Sequence, residues 1–275
     1  MSYTTADVVK LRKVTGAGMM DCKSALAESD GNFDRALEII REKGKLVASK
    51  RADRDAAEGV VLAKTTDNNK FGALVVLNCE TDFVAKNENF IAFTSQILDA
   101  ALQQKTTKLE ELKEVQINDR TVEAQVSEQT GVIGEKIELS YFGKIEAETV
   151  VNYIHPGNKL ATLVGFNKAN VDVQVAKDVA MQVAAMSPVA VDTDAIPSNI
   201  VEKELEIARE KFRQEGKPEA MLDKIAQGAL QKWYKEVTLL NQAFIKDGKI
   251  TVKEYLAQHD KELKVTGFER YALDN

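Results

Sequence analysis

The spacing of apolar residues changes character twice along the chain. Near the start, Val8, Leu11 and Val14 form a short helical stripe, with Thr5 placed as its N-cap. "TGAG" breaks that helix, "MMDCKSALAES" predicts a second, and "DGN" breaks the second. A third runs from Phe33 to about Lys43, with Phe33, Leu37 and Ile40 at i, i+4, i+7 and Gly44 as terminator. The charged run "KLVASKRADRDAAEG" reads as a linker.

Strand patterns follow. "GVVLAK" and "FGALVVLN" flank "TTDNN", which is hairpin chemistry. A helix is predicted from about Glu88 to Gln103, and another near "TVEAQVSEQ". "EKIELSYF" alternates, placing Ile137, Leu139 and Tyr141 on one face of a half-buried strand. A second block repeats the order. "EAETVVNYIH" and "NKLATLVGF" are strands joined at Pro156-Gly157, the residue pair of a type II turn. A helix spans about Val173 to Met186. Thr251 and Glu254 form a capping box that opens a short helix, and "LKVTGFERYAL" is a final strand. The parallel between "TVEAQV…EKIELSYF" and "TVKEYL…LKVTGFERYAL" predicts a duplicated unit.

The second block carries an insertion, bracketed by Pro188 and Pro197. Asn199, with Glu202 as capping partner, opens a helix presenting Val201, Leu205, Ala208 and Phe212, a 4, 3, 4 seam for one partner helix. Gly216 terminates it, and Pro218 starts a return arm presenting Leu222, Ile225, Ala229 and Trp233. The expected unit is an antiparallel helical hairpin. Gly228 inside the return arm predicts a close helix approach, since glycine there costs about 1 kcal/mol against alanine.

Together these patterns predict an α+β chain. A three-helix module and linker occupy 1–55, and core subdomains occupy 56–144 and 145–275, with the hairpin inserted at about 198–233. The 275 residues suffice for two cores, and 44% hydrophobic with 29% charged residues is an ordinary globular balance. A net charge of −6 speaks against a general nucleic-acid binder, which needs a basic surface. Two cysteines in unrelated segments, Cys22 and Cys79, predict packed thiols in a reducing cytoplasm rather than a disulfide framework. No signal-like or membrane-length apolar stretch is present in the sequence.

The chemistry-bearing motifs are few. "GAGMMDCKS" departs from a phosphate-binding loop, because Cys22 stands where glycine must precede the lysine, and a helix rather than a strand comes before it. His155 and His259 lie in different elements without a ligand partner at helical spacing, so no metal or cofactor is expected. The acidic residues lie on helix faces and form no acid/base constellation. The unusual stretch is "NCETDFVAKNENF", a surface connection that carries Phe83 beside Asp82. Phe83 either turns inward to cap the sheet or stands out toward a partner. Of Met19 and Met20, one is expected in the core and the other as an apolar partner contact.

"TGAGMMDCKSALAESDGNFDRALEIIREKG" and "NCETDFVAKNENF", followed in order by "YIHPGNKLATLVGF", "AMQVAAM" and "EGKPEAMLDKI", resemble the elongation factor Ts family over nearly the whole chain. The resemblance implies a ubiquitin-associated-like N-terminal module, a duplicated α+β core with antiparallel sheets and an inserted antiparallel coiled coil. It implies guanine-nucleotide exchange on elongation factor Tu, with no enzyme-type catalytic site. Carried over residue by residue, Thr81, Asp82, Phe83 and Val84 would enter the partner's nucleotide domain near its magnesium site. Phe83 would act as a wedge, and Asp82 would help displace the groups that hold the magnesium. Arg12, Met19, Met20 and Lys23 would contact the same domain, and His155 would contact it near the phosphate side. "IHPGN" is longer than the "HG" turn of some members. Some members also continue into a helix after the final strand, whereas this sequence ends at Asn275, so a contact by such a helix is not carried over. The coiled coil offers a surface for a homodimer or a two-to-two complex. Two alternatives stand beside this reading: a ubiquitin-binding adaptor built on the first module, and a small-molecule enzyme built on the duplicated core.

Overall fold

The computed structural model describes residues 3–273; the chain end at Asn275 lies outside them. Three helices open the fold: α1 (Thr5–Thr15), α2 (Met19–Glu28) and α3 (Phe33–Lys50). They bury Val8, Leu11, Cys22, Ala25, Leu26, Ala36, Ile39 and Ile40 together. The N-cap is Thr4 rather than Thr5. Its hydroxyl accepts from the Asp7 amide while the Asp7 carboxylate accepts from Thr4, a reciprocal cap that Thr5 cannot form. Val14 faces out instead of joining the stripe.

Gly44 does not end α3. The helix continues six residues further, to Lys50, through much of the expected linker. Gly44 lies on the buried face of α3 and meets Gly131 of a core helix, so it marks a helix contact rather than a terminus.

The first core block comprises β1 (Glu58–Thr65), β2 (Phe71–Cys79), α4 (Asp82–Ala85), α5 (Glu88–Gln104), α6 (Leu109–Glu114), the two-residue strands β3 (Gln116–Ile117) and β4 (Arg120–Thr121), α7 (Val122–Ile133) and β5 (Glu138–Glu146). Its antiparallel sheet has the order β1-β2-β5. One face packs on the helices through Val75, Leu77, Phe90, Ile97 and Leu139. A bulge at Ser140 resets the register: Leu77 faces Leu139, but Val76 faces Tyr141. Tyr141 therefore leaves the face it was expected to share with Leu139 and packs on the opposite side, in the inter-sheet core.

The second block comprises β6 (Thr149–Ile154), β7 (Leu160–Phe166), α8 (Val173–Met186), α9 (Ser198–Gln214), α10 (Glu219–Val237), β8 (Ala243–Phe244), β9 (Asp247–Thr251), α11 (Val252–His259) and β10 (Val265–Ala272). Its sheet, β6-β7-β10, repeats the first arrangement: a hairpin whose second strand also takes a later strand. The Thr251–Glu254 capping box forms as expected. Gly157 takes φ +94°, as the i+2 position of a type II turn requires, and the Asn158 amide closes the turn on the His155 carbonyl at 3.0 Å. The two sheets pack face to face through Val61, Leu74 and Val76 against Val150, Ala161 and Leu163.

Helices α9 and α10 pack along each other and are tied by Arg209–Asp223 at 2.6 Å and Arg213–Glu219 at 2.7 Å. Val201, Leu205, Ala208 and Phe212 are half-buried along α9, as expected. On α10 Leu222 is buried as expected, but the deepest stripe continues through Ala226 and Leu230, beside the expected Ile225, Ala229 and Trp233, which are half-buried. Two further expectations fail. Pro197 occupies the N-cap of α9, so Asn199 and Glu202 form no cap, and Gly228 faces open space rather than a neighbouring helix. Among the described residues no helix is long and apolar enough to cross a membrane.

Candidate functional site

The stretch that follows β2 becomes α4, a single turn. Thr81 is its N-cap, and Asn87 then caps α5, so the short helix is held between two capping residues. Ala85 is buried and Val84 packs partly against the core, which leaves Phe83 pointing away. The ring is 84% exposed, so Phe83 does not cap the sheet.

Two glutamates anchor the start of α4. Glu135 accepts from the Thr81 amide at 3.0 Å and from its hydroxyl at 2.7 Å. Glu80 accepts from the Lys136 amide at 2.6 Å and from Arg51 at 2.7 Å. These bonds hold the Glu80 carboxyl below the usual range, the Lys136 amide first and Arg51 after it. Beneath them Cys79 donates its S–H to the Thr81 carbonyl at 3.2 Å. Burial pushes the Cys79 thiol up to about 12, so it stays protonated and unreactive.

Asp82 pairs with Lys86 at 2.6 Å, one turn on. That bond lowers the Asp82 carboxyl and raises the Lys86 ammonium, and Lys159 adds a smaller pull on Asp82. Lys159 follows the turn that carries His155. It pairs with Glu58 at 3.0 Å, while the Val61 amide donates to the Asn158 carbonyl at 2.7 Å. The start of β1 thus brings α4 and the β6–β7 turn to one end of the molecule. His155 is exposed there, with its Nδ1 3.0 Å from the Tyr153 hydroxyl.

Arg12, Met19, Met20 and Lys23 stand apart on the three-helix unit, all exposed. Neither methionine is core: Met19 is 42% exposed and Met20 68%. Cys22, Ala25 and Leu26 take the inward positions of α2; Met20 faces away from them, and Met19, the first residue of the helix, stays exposed at its open end. Three residues that shape the site were not singled out from the sequence: Arg51, Glu80 and Glu135. Their contacts span 29 to 56 positions, so no local pattern marks them.

Among the described residues no cluster of His, Cys, Asp and Glu is arranged to hold a metal ion. A cleft of about 230 Å³ lies between the three-helix unit and the core, with Leu37, Ile40 and Phe93 in its wall. Its charged members, Arg41 and Arg120, both pair with Glu128 and converge on no free acid or base.

A sequence model of the family described as Elongation factor TS matches residues 80–275, from the residue before Thr81 through β5 and the whole second sheet. The chain belongs to the elongation factor Ts family. An Elongation factor Ts of Porphyromonas gingivalis is 52% identical over 275 residues, covering all of this chain and 99% of the relative. That of Azobacteroides pseudotrichonymphae is 50% identical over 274 residues, with the same coverage. That of Bacteroides fragilis is 43% identical over 330 aligned positions, covering 99% of both chains. The likeness to elongation factor Ts proteins thus extends through α1–α3, which carry Arg12, Met19, Met20 and Lys23.

Proposed function

We propose that this chain is a guanine-nucleotide exchange factor: it binds elongation factor Tu in its GDP form, opens the magnesium and phosphate site and releases GDP so that GTP can bind during translation elongation. Membership in the elongation factor Ts family supports the activity. The observation that carries the mechanism is the nearly free Phe83 ring on a helical turn whose base is fixed by Glu135 and Glu80. A large apolar side chain on a backbone already anchored leaves less ordering entropy to lose on docking than one on a free loop, which suits it to act as a wedge.

Thr81 to Val84 form the intruding segment. The Asp82–Lys86 pair lies in solvent, where an ion pair contributes little, so Asp82 can exchange Lys86 for groups around the partner's magnesium. His155, at the same end of the molecule, faces the phosphate side. Arg12, Met19, Met20 and Lys23 form a second contact on the nucleotide domain. Residues 1–55 act as a ubiquitin-associated-like docking module, and 56–144 and 145–275 as the two halves of the core. The hairpin at about 198–233 is an antiparallel coiled coil, a surface for a homodimer or a two-to-two complex. The work is cytoplasmic and needs neither nucleic-acid contact nor membrane.

No acid, base or nucleophile is required. A factor that weakens nucleotide binding is itself bound less tightly by the nucleotide-loaded partner, by the same coupling free energy. The test is to mix the chain with elongation factor Tu carrying fluorescent GDP and excess unlabelled GDP. Acceleration of GDP loss at substoichiometric amounts of the chain is expected; release at the spontaneous rate would refute the reading.

A further inference from the structure

The residues before α4 and after α7 strap each other reciprocally. The Glu80 side chain takes the Lys136 amide, and the Glu135 side chain takes the Thr81 amide. Each carboxylate thus fixes the backbone next to the other. The strap sets the position of Thr81, whose hydroxyl caps α4 and thereby aims Asp82 and Phe83.

The strap has a third member. Arg51, the first residue past α3, donates to the Glu80 oxygen that also takes the Lys136 amide. The pair is sheltered, with side chains 32% and 17% exposed. The Lys136 ammonium reaches back to the Arg54 carbonyl at 3.1 Å, so the turn that follows α3 is tied at two points. Further up, α3 crosses α7 at Gly44 and Gly131, four residues before Glu135 in the chain. Two routes therefore run from α3 to the first residue of the α4 cap: one through Arg51 and Glu80, the other through α7 and Glu135.

We propose that Arg51 is a positioning residue for exchange: by holding Glu80, it couples the seating of the N-terminal helices to the aim of Phe83. The inference rests on the exchange-factor reading above. It makes α3 part of the mechanism rather than a passive connection. A partner that grips α1 and α2 would, through α3, also brace the turn that enters its nucleotide site. Arg51 need not touch the partner to do this.

The experiment uses the full chain with Arg51→Ala, Arg51→Lys and Glu80→Gln, each alone and combined with Phe83→Ala. GDP release from elongation factor Tu is followed at saturating factor, together with thermal unfolding. Arg51→Ala is expected to slow saturating release about three- to tenfold, and Glu80→Gln to act in the same direction. Arg51→Lys, which keeps a cationic donor, restores most of the rate. In the Phe83→Ala background the loss caused by Arg51→Ala shrinks to about twofold or less, because the ring is gone and only Asp82 remains to be aimed. A residue that merely stabilised the fold, or touched the partner independently, would give additive losses instead. Additivity, or an Arg51→Ala chain as fast as wild type, overturns the proposal. A wild-type chain that releases no GDP overturns the exchange-factor reading and this inference with it, whereas a working wild type with an indifferent Arg51 overturns this inference alone.

Discussion

Gly44 of α3 and Gly131 of α7 meet backbone to backbone, and the contact is not symmetric. A Cβ on Gly131 would fall 2.1 Å from the Gly44 Cα, whereas a Cβ on Gly44 would stay 3.6 Å from the Gly131 Cα. The same methyl group therefore has opposite consequences at the two positions. Gly131→Ala should force the helices apart and destabilise the chain by about 1–3 kcal/mol or more. Gly44→Ala should be tolerated, and its better helix propensity offsets up to about 1 kcal/mol of any crowding. Thermal melts, with limited proteolysis across residues 43–54, measure both. Equal effects at the two sites would contradict the geometry.

The hairpin of α9 and α10 is closed at its base by polar bonds. Gln242, almost fully buried, donates to the Met186 carbonyl at 3.2 Å and to the Glu236 carbonyl at 2.8 Å, joining the two ends of the excursion. Replacing residues 199–233 with a short flexible linker should leave the core folded, because this base remains. Exchange should persist at reduced efficiency, since Phe83 and α1–α2 lie elsewhere. Gln242→Ala should cost more stability than that whole deletion, about 1–3 kcal/mol, by removing a buried amide that ties Met186 to Glu236 and accepts from the buried Gln182. Circular dichroism melts of the two variants compare them directly.

Both cysteines should resist alkylation. Burial raises each thiol, Cys79 to about 12. Iodoacetamide at pH 8 should leave the native chain unmodified and add two groups in denaturant, as read by mass spectrometry. The sign of the pH effect follows from the same shift. The folded state keeps these protons to higher pH than the unfolded chain, so the unfolded state ionises first. Stability is fully present below the ordinary thiol range and falls as pH rises from about 9 toward 12. Cys79→Ala should flatten that decline, measured as denaturant midpoints against pH.

What was legible in the sequence was local. The bounds of α8, the Thr251–Glu254 cap and the Pro156-Gly157 turn each depend on residues within a few positions of one another. What was not legible depended on distant partners. Gly44 looks like a helix stop until Gly131 lies against it, 87 positions away in the chain. Tyr141 changes face because of a bulge that alternation cannot signal. The site divides in the same way. Thr81 to Val84 stood out because an aromatic on a polar turn is unusual, but the outward orientation of Phe83 depends on Val84 and Ala85 packing inward. The strap of Glu80 and Glu135 joins segments more than 50 positions apart and left no trace in either.

Phe83→Ala is the most direct measurement of the central claim. An 84% exposed ring contributes little to the core, so the unfolding midpoint should shift by no more than about 2 °C. As an interface hot spot worth about 2 kcal/mol or more, its loss should slow GDP release from elongation factor Tu by about 30-fold or more. A variant that unfolds well below wild type, or one that releases GDP at the wild-type rate, would contradict the wedge.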